Sequence, residues 1–162
     1  MTHIPNGSFK NMQTLVTSHT SVQTSSSVGN AFITLDGSEI TYTPSTSASN
    51  VVYEIVFYCQ NSGYPFICAY LENADVGNTN WSEIHEKYRK NFGVSGYSTQ
   101  TNRFYTTWRY VLPIWSGPKQ LRIRIGSHNA NRQINLHQLT EWDGAGSVTN
   151  KFCNTNLIVY SI

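Results

Sequence analysis

The chain has 162 residues, the size of one ordinary domain, and is long enough to bury a core without covalent staples. Only 12% of its residues are charged, against roughly 25% in an average soluble domain, and the formal net charge is +2 with the basic residues scattered. That balance argues against an electrostatic nucleic-acid surface, and no apolar run is long enough to insert into a membrane.

In place of charge, the polar surface is built from Ser, Thr, Asn and Gln, as in residues 41–50 and 95–102. Hydroxyl and amide side chains compete with helical hydrogen bonds, so this composition favours strands and turns. Met1 is followed by polar residues rather than an apolar signal segment, which leads to the expectation of synthesis in a cytoplasm. Residues 1–11 read as a short N-terminal arm. Residues 12–162 read as one domain, with no internal repeat and no linker to divide it.

Residues 12–19 form a first, weak strand pattern. Residues 31–35 and 39–43 follow, and the Asp36-Gly37 dipeptide between them predicts a tight hairpin turn. Ile40 and Tyr42 alternate with Glu39, Thr41 and Thr43, giving one buried and one wet face. Residues 44–50 are a low-complexity turn.

Residues 51–60 carry the most information. One face holds Val51, Tyr53, Ile55, Phe57 and Cys59; the other holds Val52, Glu54, Val56, Tyr58 and Gln60. A strand apolar on one face and half apolar on the other is expected to be covered on both sides. The core of a sandwich covers one face only. Val52, Val56 and Tyr58 are therefore candidate subunit-interface residues, together with Tyr160 from the terminal segment, where Leu157 and Val159 oppose Ile158, Tyr160 and Ile162.

Residues 66–71 are another buried strand, followed by an irregular stretch over 72–102. Inside it, Asn80 with Glu83 matches a helix-capping pattern, and Trp81, Ile84 and Tyr88 are helically spaced, so one short helix is expected there. Strands resume at 104–112, 121–125, 134–139 and 156–162, with clean alternation in Leu121-Arg122-Ile123-Arg124-Ile125. Eight to nine strands at this spacing indicate an all-β, antiparallel jelly-roll β-sandwich with at most one short helix.

Catalytic signatures are weak. His85-Glu86 begins like the zinc-protease motif, but Arg89 stands where the second histidine is required. His128, His137, Glu141 and Asp143 fall within one region at a spacing that matches no ligand pattern, so no metal site is expected. No nucleophile elbow or phosphate-binding glycine loop is present, and no catalytic residue or cofactor follows from the sequence. Cys59, Cys68 and Cys153 lack paired spacing and read as free thiols; the first two lie in apolar runs. Trp81 and Tyr97, in the long irregular stretch, are candidate ligand-facing aromatics for sugar rings.

Several segments together resemble a module of tailed-bacteriophage virion proteins. Thr24-Ser25-Ser26-Ser27 runs into Phe32-Ile33-Thr34-Leu35. Ile40-Thr41-Tyr42-Thr43-Pro44-Ser45-Thr46-Ser47 follows, then residues 51–57, and the chain closes on Asn156-Leu157-Ile158-Val159-Tyr160-Ser161-Ile162. The resemblance spans residues 12–57 and the last seven residues. It implies a jelly roll similar to the complement and tumour-necrosis-factor fold, assembled as a homotrimer on a capsid surface or a fibre tip. Fibre proteins of this kind carry a long attachment region, whereas about ten residues precede the first strand here. The expectation is thus a homotrimeric capsid decoration or cement protein on the virion surface, partnered with the major capsid protein. A tail-fibre or receptor-binding tip that recognises host surface glycan is the alternative, and a free carbohydrate-binding lectin the alternative from another class.

Overall fold

The structure, a computed structural model, describes residues 9–25, 32–62, 66–93, 101–127, 134–142 and 148–162. The strands are β1 (Lys10–Thr17), β2 (Gln23–Ser25), β3 (Ile33–Thr34), β4 (Ile40–Tyr42), β5 (Asn50–Ser62), β6 (Phe66–Asp75) and β7 (Ser82–Glu83). They continue as β8 (Lys90–Gly93), β9 (Thr101–Pro113), β10 (Lys119–Ser127), β11 (Ile134–Leu136), β12 (Gln138–Trp142), β13 (Val148–Phe152) and β14 (Thr155–Ser161). All pairing is antiparallel. The fold is the expected jelly-roll sandwich. No helix among the described residues is long and apolar enough to cross a membrane.

Two six-stranded sheets face each other. The first is organised on the long strand β5. β9 pairs with its whole length on one side; β14 and then β11 pair with successive halves on the other, with β1 and β2 outside them. The second is organised on β6 and β10, with β3 and β4 along β10 and β7 and β8 along β6. β12 and β13 form a separate hairpin.

The sequence period of two places the core. Val51, Tyr53, Ile55, Phe57 and Cys59 of β5 point inward with Trp108, Tyr110 and Leu112 of β9 and Leu157 and Val159 of β14. They meet Ile67, Ala69 and Leu71 of β6 and Leu121, Ile123 and Ile125 of β10. Each large aliphatic side chain buried here contributes roughly 1.5–3 kcal/mol. Ser38 ties the two sheets together: Tyr53 Oη donates to its carbonyl, and Ile123 N–H donates to its Oγ at 3.1 Å.

Three expectations are corrected. Asp36-Gly37 does not close a hairpin. β3 and β4 run in the same direction along β10, pairing with Arg124 and Ile125 and then with residues 119–121. The turn bulges out of one interrupted strand, and Leu35 N–H and Ser38 Oγ keep it bonded to Ile123. The helix expected after Asn80 is absent. Asn80 N–H is taken by Asn78 Oδ1 at 2.8 Å, Ile84 N–H donates to Leu71 O at 3.0 Å, and Glu83 is engaged by Arg89 at 2.7 Å. The local pattern is outcompeted by pairing with the edge of β6, leaving one 3-10 turn over Glu86–Tyr88. Finally, the strand expected over 134–139 is broken at His137, which adopts φ 68° between β11 and β12.

Candidate functional site

The outer face of the β5 sheet is where the four candidate interface residues fall. On β5 it carries Val52, Glu54, Val56 and Tyr58; β9 adds Val111, Arg109, Thr107 and Tyr105, each directly opposite. β14 adds Tyr160, Ile158 and Asn156 opposite Val52, Glu54 and Val56. Beyond β14, β1 brings Thr14 beside Ile158 and Val16 beside Asn156. The sheet geometry thus turns four separate sequence alternations into one continuous surface.

The four candidates do not share one environment. Val52 is 0% exposed and Tyr58 3% exposed within the single chain. Val52 lies between Tyr160 and Val111 on the neighbouring strands, and Phe9 packs edge-on against Tyr160 at 4.9 Å. Tyr58 meets the ring of Tyr105, whose hydroxyl donates to Cys153 Sγ at 3.2 Å, and the Tyr58 carbonyl accepts the His137 N–H. The second cover that the β5 pattern asks for is therefore supplied in part by the chain itself. Val56 and Tyr160 stay half-buried and reachable from outside.

The remainder of this face is open, with exposed Val16, Tyr105 and Val111 set among Thr14, Thr107, Arg109 and Asn156. Val111 is 47% exposed, Val16 56% and Tyr105 62%. Its charges are Glu54 and Arg109, facing each other at 3.7 Å with Arg109 also donating to Tyr160 Oη at 3.0 Å, and a second base, Arg103, opposite Gln60 at the Tyr58 end. The face therefore presents apolar side chains around one neutralised pair, with Thr107 and Asn156 flanking Val56 and Arg103 at the Tyr58 end. Tyr105, Val111 and Val16 were not singled out by sequence reasoning. The alternation of β9, with Phe104, Thr106, Trp108, Tyr110 and Leu112 inward, was the signal that would have found the first two.

The candidate ligand aromatics separate as well. Tyr97 lies outside the described residues. Trp81 is half-buried on the opposite sheet, with the Arg122 guanidinium over its ring at 3.9 Å. Arg122 is held in turn by Glu72 at 2.8 Å. One face of the indole, the surface a sugar ring would stack on, is thus occupied by the chain's own cation. His85 does not serve a metal motif; its Nδ1 accepts the Lys87 N–H at 3.1 Å and caps the 3-10 turn. His128, Asp143 and the side chain of Glu141 lie outside the described residues. All three cysteines are free thiols, Cys59 and Cys153 being buried.

No protein-family model and no curated protein matches the sequence. Among solved structures, the chain is similar to the globular domain of the zebrafish complement 1qA protein. That match has 11% identity, a TM-score of 0.40, and coverage of 94% of this chain and 97% of that one. It is also similar to the tumour-necrosis-factor protein Eiger from S. frugiperda, with 6% identity, a TM-score of 0.40 and 94% of each chain covered.

Proposed function

We propose that the protein is a homotrimeric bacteriophage virion surface protein, a capsid decoration or cement module without catalytic activity. The observation that carries the trimer is the outer face of the β5 sheet, where Val56, Val111, Ile158 and Tyr160 gather around a neutralised Glu54–Arg109 pair. Monomers seldom leave large apolar patches in water, and Val111, Val16 and Tyr105 of this face are all exposed in the single chain. Around Val56 and Val111 the charges are already paired, so this part of the face meets copies of itself without repulsion, and a cyclic assembly of three closes without leaving an open copy of the patch. The virion assignment adds the sequence pattern of residues 12–57 and 156–162.

Decoration is favoured over a glycan-binding tip because Trp81 is engaged by Arg122. The major capsid protein is then the second partner, and the particle surface the location. The reading is tested by imaging the virion that carries this chain, and by presenting the purified protein to assembled capsids and to a panel of bacterial surface glycans. Binding to capsid without binding to glycan is expected. Glycan binding without capsid binding would move the protein to the fibre tip or to the lectin class.

A further inference from the structure

His19, Asp36 and His137 come from three distant stretches of the chain, yet each offers one ligand atom within 4.8 Å of the other two. His19 lies in the loop after β1, Asp36 in the bulge between β3 and β4, and His137 in the break between β11 and β12. The imidazole rings of His19 and His137 are stacked, 3.7 Å between centroids and 8° between planes. Thr155 Oγ1 bonds both, to His19 Nε2 at 2.9 Å and to His137 Nδ1 at 3.2 Å. Gln23 Oε1 lies 3.2 Å from His137 Nε2 and accepts the Asp36 N–H at 3.0 Å.

We propose that His19, Asp36 and His137 form a site for one divalent transition-metal ion of the zinc class, which clamps these loops at the end of the β5 sheet. Two imidazoles and a carboxylate suit a borderline-soft ion such as Zn²⁺ or Co²⁺ better than Ca²⁺ or Mg²⁺. A tetrahedral ion with bonds of about 2.0–2.1 Å holds its ligand atoms about 3.4 Å apart, so the cluster must contract by at most ~1.4 Å.

The placement of the three residues says which of them move. His137 is wholly buried at φ 68°, its N–H bonded to Tyr58 O at 2.9 Å and its carbonyl to Cys153 N–H at 2.8 Å, so it is the fixed ligand. His19 is half-buried and Asp36 exposed, and both sit on connections rather than strands. Metal capture requires His19 to tilt out of the parallel stack, so that its lone pair turns toward that of His137. Gln23 Oε1 accepts from His137 Nε2–H and so leaves the lone pair on Nδ1; Gln23 is a positioning residue, and Thr155 Oγ1 gives up its bond to Nδ1 when the metal enters.

The test is titration of chelator-treated, full-length protein with ZnCl2 and separately with CoCl2. One Zn²⁺ per chain is expected to bind and raise the melting midpoint, and Co²⁺ should give visible ligand-field absorption with nitrogen and oxygen donors. His19→Ala and Asp36→Asn replace the accessible ligands and should leave the apo fold intact. Each is expected to lower Zn²⁺ affinity by ~100-fold or more, beyond what the loss of a supporting contact alone brings about. A midpoint that ignores Zn²⁺ together with a colourless Co²⁺ titration overturns the site. So do variants that bind Zn²⁺ as tightly as the unsubstituted protein.

Discussion

The ring of Tyr105 meets the ring of Tyr58 edge-on, with 5.1 Å between centroids. The contact divides the outer face of the β5 sheet. Around Tyr58 the surface is closed by Tyr105, which is bonded to Cys153 beyond β13; toward Val56 and Val111 it is open. Fold stability and assembly should therefore separate along one strand.

Tyr58→Ala should act on the fold. The side chain is 3% exposed, so truncation removes a packed aromatic and is expected to cost about 3 kcal/mol or more. Urea denaturation, compared at several protein concentrations, checks this. A cost that vanishes on dilution would place Tyr58 in the subunit contact instead.

Gly37→Ala should destabilise through the turn between β3 and β4. Gly37 holds φ +80°, and an added Cβ would lie 2.9 Å from Thr17 Cβ, Thr17 Oγ1 and Thr155 Cβ. The backbone conformation alone costs about 1–2 kcal/mol for a residue with a Cβ, and the clash adds to it. A drop in melting midpoint of several degrees is expected, and an unchanged midpoint would contradict the close approach of β1, β14 and this turn.

Much of the sandwich is visible in the sequence because strands with one buried face must alternate. Leu121, Ile123 and Ile125 point inward as their spacing requires, and so do Val51, Tyr53, Ile55, Phe57 and Cys59. The failures share a cause. Asp36-Gly37 and the Asn80–Glu83 pattern are local signals, and both were overruled by pairing to strands remote in sequence, β10 and β6. The outer face of β5 was legible only as a question, since β5 asks for a second cover but cannot say that Tyr105 supplies part of it. The His19, Asp36 and His137 cluster was not legible at all, because three loops from different sheet edges have no common spacing.

Cys59 should make the protein sensitive to alkali. Burial pushes its thiol up to about 12 from an ordinary value of 9.0, and burial raises the Tyr53 phenol as well. The folded state then holds these protons more tightly than the unfolded state. The stability they contribute is complete below about pH 9 and is lost as pH climbs toward 12. Urea midpoints measured at pH 8 and pH 10.5 should fall with pH. A thiol reagent at pH 8 should leave Cys59 unmodified until the chain unfolds.

Arg122→Ala should uncover Trp81 and strand Glu72, whose side chain is only 12% exposed. Leaving that carboxylate partly buried without its cation is expected to cost about 1–3 kcal/mol, and the indole emission should shift to the red as water reaches the ring. Unchanged emission would contradict the stacking. Glycan binding that appears only in the variant would show that Arg122 blocks a sugar platform.

The most direct test of the account is the solution mass of the purified protein, measured by light scattering at micromolar concentration. The outer face of the β5 sheet predicts a mass three times that of the 18.3 kDa chain. Val56→Asp and Val111→Asp each place an unpaired charge on that face, and both should give a folded chain of monomer mass, or none that folds for Val56→Asp, the more buried of the two. A native protein with the mass of a single chain, or a trimer indifferent to Val111→Asp, would contradict the proposed assembly.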